Sequence, residues 1–210
     1  MIKYWQDNSA RMMQLTIEHA RMVLIALFIA FLVAIVLIAV FLRKKNWMNS
    51  LIYFFSLLYS VPRYTFFAVL MPITGLGETT AIIVLAFYNE YVLLRTFITG
   101  IREVDPNYIE VARGMGMTQE EIFTKVQLPL SMPAIFSGLQ VALASTMAIA
   151  TIASTISAGG LGDLMFEGLQ TGRVVSILWG TILTVALTLV CIVILKLIEN
   201  LVISDGLEKS

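Results

Sequence analysis

The residues of this chain that invite chemistry are few, and their spacing excludes most of it. One histidine, His19, and one cysteine, Cys191, stand among 210 residues. Neither a disulfide framework nor a soft-ligand metal site can be built from so little. No nucleophile is spaced with a base, so we assign no catalytic residue, no metal and no cofactor, and read a chain that is not an enzyme. Gly159-Gly-Leu-Gly-Asp163 lacks the lysine and hydroxyl residue of an ATP-binding loop. Polar residues gather instead between Glu103 and Pro129. There Asp105 can cap a helix that begins at Pro106, and Gly114 and Gly116 end it. Thr118-Gln-Glu-Glu121 has the form of a capping box opening a second short helix, which Leu128-Pro129 is expected to stop. Tyr108, Ile109 and Ala112 share a face of the first helix, and Ile122, Phe123 and Val126 a face of the second. Such an elbow does recognition: it enters a groove on a partner protein, or it lies on lipid headgroups. The acidic residues Glu103, Asp105, Glu110, Glu120 and Glu121 weigh against headgroups, because anionic lipid attracts basic faces.

The elements that hold this elbow must be hydrophobic. Hydrophobic residues make up 59% of the chain and charged ones 13%, about half the charged share of a soluble domain. A cytosolic enzyme and a disordered segment are excluded. Fourteen basic residues balance fourteen acidic ones, so no net field exists to attract nucleic acid.

A bilayer core about 30 Å thick takes about 20 apolar residues as helix. Five stretches qualify, at about 22–42, 51–73, 80–101, 132–154 and 174–195, within a single transmembrane domain spanning 1–210; the elbow loop is 102–129. The fold expected is all-α and polytopic. Pro62 and Arg63 interrupt the second span, and Glu90 and Arg95 the third. A charge at mid-membrane is costly unless it meets protein or water. These two spans should therefore pack inside a bundle, where Arg63, Glu90 and Arg95 either line a pathway or pair with one another. Tyr59, Tyr64, Phe66, Phe67, Phe87, Tyr88 and Tyr91 crowd the same spans and read mainly as packing. Nine lysines and arginines fall on the elbow side and four on the other, which puts the amino terminus outside and the carboxyl terminus in the cytoplasm of a multi-pass protein of the cell membrane. His19 is expected in an interfacial amino-terminal helix, and Cys191 in packing. A short outer helix should run from about Asp163 to Gln170, with Asp163 and Glu167 at its surface.

The elbow also resembles a known family. ABC-importer permeases carry a cytoplasmic signature of Glu-Ala-Ala, three residues, Gly, nine residues, Ile, one residue, Leu-Pro. Here Glu110-Val111-Ala112, Gly116, Val126 and Leu128-Pro129 keep every spacing, with Val111 and Val126 as mild departures. Leu15-Thr-Ile-Glu-His19, Gly75-Leu-Gly77, Asp105-Pro106 through Thr118, and Gly159 through Asp163 are similar to permeases of osmoprotectant importers, which carry glycine betaine, carnitine, choline or proline betaine. The chain departs from them at Ala34–Ala39 and at Arg63.

The resemblance implies a type I ABC importer permease with about five transmembrane helices and a cytoplasmic coupling-helix elbow. It implies a second permease, identical or paralogous, and an ABC ATPase subunit that supplies all the hydrolysis. The ATPase would dock on Glu110, Ala112, Arg113, Gly114, Met115, Gly116, Met117, Leu128 and Pro129. It also implies an extracytoplasmic substrate-binding protein, for which Asp163 and Glu167 are candidate contacts. Membrane lipid is a further partner and nucleic acid is not. Alternatives are a permease for amino acids such as methionine, a self-sufficient secondary carrier, and a non-transporting scaffold. The carrier is disfavoured because no internal repeat is evident.

Overall fold

A backbone surrounded by lipid satisfies its polar groups only as helix or as closed barrel. The computed structural model, which describes residues 1–41 and 44–203, takes the helical solution, with nine α-helices and no strand among those residues. Helices α1 (Ile2–Phe41), α4 (Glu78–Arg102) and α9 (Val174–Val202) and the run Gln119–Ile156 are each long and apolar enough to cross a membrane. The pair α2 (Lys45–Ser60) and α3 (Arg63–Thr74) supplies a fifth crossing if its two halves are taken together.

Three departures from expectation have local causes. The first crossing does not follow a separate interfacial helix. No glycine or proline stands between Ile2 and Phe41, so one helix of 40 residues runs throughout, about 60 Å long and twice a bilayer core. The second stretch, expected as one span, is two helices meeting at 97°. Val61 precedes Pro62, and a residue before proline is driven out of the α region; its φ and ψ are −64° and 132°. Leu128-Pro129 does not stop the elbow's second helix. Helix α6 (Gln119–Ile122) passes through a π turn (Phe123–Gln127) into α7 (Leu128–Ala153) without a break. In the π turn Leu128 N–H reaches back to the Phe123 carbonyl, and the ladder is already shifted where Pro129 would leave an acceptor unmet.

Helix α4 sits at the centre, packed most extensively on α7 and α1. Small residues allow the approach. Ala26, Ala30 and Ala34 of α1 are wholly buried at four-residue spacing. A Cβ on Gly100 of α4 would lie 2.5 Å from that of Ala134 on α7, a close contact of the kind that binds helices in lipid. Only Ser176 and Gly180 of α9 are buried; one side of this apolar helix packs on α7 and α8 (Gly162–Thr171) through Leu183, Leu187 and Cys191, and the rest faces outward.

Candidate functional site

At one end of the bundle stands the elbow. Asp105 Oδ1 accepts from the Asn107 amide at 2.9 Å, ahead of α5 (Pro106–Gly114). Thr118 and Glu121 form a reciprocal capping box for α6, and Glu121 continues to Lys125 Nζ at 2.9 Å. Between the helices Gly116 has φ +79° with open space around it. A side chain there is penalised by conformation and not by crowding. Ala112 and Ile122 are buried, and α5 packs against α6 and the π turn that follows it. Tyr108, Val111 and Met115 are 50%, 63% and 72% exposed, and their i, i+3, i+7 spacing makes one outward apolar stripe. The expected grouping of Tyr108, Ile109 and Ala112 on one face divides here, with Ala112 buried and Tyr108 turned outward. The i, i+3, i+7 spacing of Tyr108, Val111 and Met115 is the signal for the stripe. Arg113 and Gly114 are exposed beside the stripe, Met117 is half-buried, and Leu128 and Pro129 lie partly buried in α7.

At the opposite end two segments far apart in sequence interlock. Glu18 Oε2 accepts from the Gly160 amide at 3.3 Å, and its Oε1 accepts from Gln14 at 2.8 Å. His19 is fully buried, and its Nε2 donates to the Met147 carbonyl at 3.2 Å. A Cβ on Gly159 would fall 2.7 Å from Glu18 Oε2, and one on Gly160 2.9 Å from His19 Nδ1. Both glycines have positive φ, +77° and +83°, so the seat accepts glycine alone. Below it Arg21 grips Glu78 through two contacts of 3.1 and 2.6 Å. Glu167, expected at the surface of the outer helix α8 (Gly162–Thr171), is partly exposed and paired with Arg11 at 2.6 Å. Asp163 is half-buried, and that burial pushes its carboxyl above the usual range, with Arg11 partly offsetting it.

Midway along the bundle, the three charges do not pair. The ion pairs among the described residues are Arg11–Glu167, Arg21–Glu78 and Lys125–Glu121. Arg63 and Arg95 are exposed, each with its guanidinium over a tyrosine ring, at 5.9 Å from Tyr88 and 5.8 Å from Tyr91 respectively. Tyr59 joins both rings at 5.6 and 4.9 Å. The Tyr88 hydroxyl donates to the Val61 carbonyl freed at the α2–α3 break, so these aromatics do pack. Glu90 is buried, with Oε2 unpartnered. Asn89 beside it receives a 2.7 Å bond from Thr146 of α7.

Comparison with known proteins finds relatives along most of the chain. The sequence model of a family described as "Binding-protein-dependent transport system inner membrane component" matches residues 26–204. The choline transport system permease protein OpuBB of Bacillus subtilis (strain 168) is 32% identical over 209 residues, covering 100% of this chain and 96% of its own. The carnitine transport permease protein OpuCB of Listeria monocytogenes is 35% identical over 190 residues, covering 90% and 87%. An inward-facing structure of the MetNI methionine ABC transporter superposes with a TM-score of 0.78 at 20% identity, covering 91% of this chain and 98% of the other. That likeness speaks to the fold alone.

Proposed function

The chain belongs to the binding-protein-dependent transport system inner membrane components, and from that premise we propose that it forms half the pore of an ATP-driven importer for quaternary-ammonium osmoprotectants. Choline, carnitine and glycine betaine are the solutes that its full-length relatives are named for. They favour this class over methionine, whose transporter is similar in fold at lower identity. Hydrolysis falls to a separate ATPase, and an extracytoplasmic binding protein brings the solute to the outer end. In this reading the elbow faces the cytoplasm and the amino terminus lies outside, as the distribution of lysine and arginine suggests.

The observation that carries the reading is the elbow. Tyr108, Val111 and Met115 present an uncovered apolar stripe on a segment capped at both helices, with Ala112 and Ile122 buried on its other side. A rigid apolar ridge rimmed by Glu110 and Arg113 fits a groove on a partner. Movement of the ATPase pair would then shift the elbows and turn the pore from one side to the other. Met115→Asp places a charge at the most exposed position of the ridge. Co-purification of the ATPase with the permease is expected to fall at least about tenfold, since hot-spot disruption costs about 2 kcal/mol or more, while the detergent-solubilised chain keeps its melting temperature. Unchanged co-purification would remove the elbow from the docking surface.

A further inference from the structure

Helix α4 is buried over most of its surface, but one line along it stays open toward its elbow end. Tyr88, Tyr91, Arg95, Thr99 and Arg102 follow at steps of three and four residues, so they share one face. Arg95, Thr99 and Arg102 are exposed, and Tyr91 is half-buried. Arg63, exposed at the start of α3, places a third guanidinium over Tyr88, at the end of the line farther from the elbow. Tyr59 of α2 joins the rings of Tyr88 and Tyr91, so Arg63 and Arg95 belong to one cluster.

These arginines have neutral partners. Arg63 lies over the Tyr88 ring, Arg95 donates to the Tyr91 hydroxyl at 2.6 Å, and Arg102 donates to the Asn49 side-chain oxygen at 3.1 and 3.2 Å. None of the three forms an ion pair among the described residues. Glu90, the acid of α4 at this depth, is 4% exposed and falls on the far side of the helix from this line. A row of positive charge at bilayer depth is tolerated beside water or protein and not beside lipid. A guanidinium presents a planar fork that matches a carboxylate through two parallel hydrogen bonds. A solute bearing a carboxylate is therefore attracted to this face, and a bare cation is repelled.

We propose that this arginine line is a wall of the solute pathway that recognises carboxylate-bearing osmolytes, with Arg63 and Arg95 as successive contacts for the carboxylate of a zwitterion such as carnitine or glycine betaine. Choline has no carboxylate and is disfavoured there. The proposal rests on the importer reading for the identity of the solute, and it makes the permease itself a contributor to selection.

Two measurements test it: equilibrium binding of labelled carnitine to the full chain in nanodiscs, and uptake of labelled carnitine against labelled choline by the assembled importer in proteoliposomes. Arg63→Gln and Arg95→Gln each remove one charge. Carnitine binding is expected to weaken about 10- to 100-fold, the range for a lost charge-assisted contact. The ratio of carnitine to choline uptake should fall with it. The binding protein is the same in every assembly, so a shift in that ratio belongs to the permease. Arg63→Lys and Arg95→Lys keep the charge without the fork and should recover part of the ratio. Arginines that only steady the tyrosines would depress both solutes alike, and that result overturns the site. So does absent carnitine binding by the wild-type chain, or binding and a ratio unchanged in both glutamine variants. In the last case the wild-type assembly still takes up both solutes, so the importer reading survives. If instead the chain binds carnitine in an arginine-dependent way but the assembly imports neither solute, the site stands and the importer reading falls.

Discussion

At the scale of single residues, the most constrained positions are the glycines that receive α1. Gly160 holds φ +83° and faces His19 Nδ1 so closely that a methyl group would sit 2.9 Å from it. Gly160→Ala combines a left-handed strain with a clash, and is expected to destabilise the chain by about 1–3 kcal/mol, read as a lowered melting temperature in detergent. Gly114→Ala is the control: it has no positive φ and nothing within reach of a Cβ, and should leave the melt unchanged. The partners of this seat were not legible as partners. Leu15–His19 and Gly159–Asp163 each stood out in the sequence, but 142 positions separate Glu18 from Gly160, and no periodicity connects residues so far apart. His19 in particular looked interfacial, because its burial depends on a surface that only the folded chain supplies.

At the scale of elements, the apolar crossings were legible because hydropathy and helix length answer to one physical constraint, the thickness of the bilayer. Helix ends were less so. Pro62 announced a disturbance, but the 97° turn also needs something to receive the backbone groups it frees. Tyr88 does this, donating its hydroxyl to the Val61 carbonyl. Tyr88→Phe is expected to cost about 1 kcal/mol, the scale of an interhelical hydrogen bond in a membrane. A thermal melt would show the loss. Pro129 misled in the opposite direction. Proline ordinarily interrupts a helix, yet the π turn at Phe123–Gln127 shifts the ladder just before it and the helix continues. A wide turn of that kind has no composition that marks it in advance.

At the scale of the whole molecule, the single chain leaves unlike surfaces uncovered. Helix α9 is apolar over nearly its whole surface and suits lipid. Around the α2–α3 break, exposed Arg63 stands among exposed aromatic and aliphatic residues such as Tyr64 and Val69. A guanidinium on a bilayer-depth surface calls for protein or water beside it, which is the form a pore-facing or subunit-facing side would take. The detergent-purified importer is accordingly expected to contain two permease chains, identical or paralogous, with two ATPases; native mass spectrometry of the complex would read this directly. A complex with one permease would leave that surface unexplained. The unbroken run from Gln119 to Ile156 has a mechanical consequence. At 1.5 Å per residue it is a strut about 57 Å long. One end is the capping box of the elbow, and near the other Met147 and Thr146 grip His19 and Asn89. In the proposed importer, a tilt imposed on the elbow is then expected to displace the far end as well, the run acting as a crowbar between its two tips.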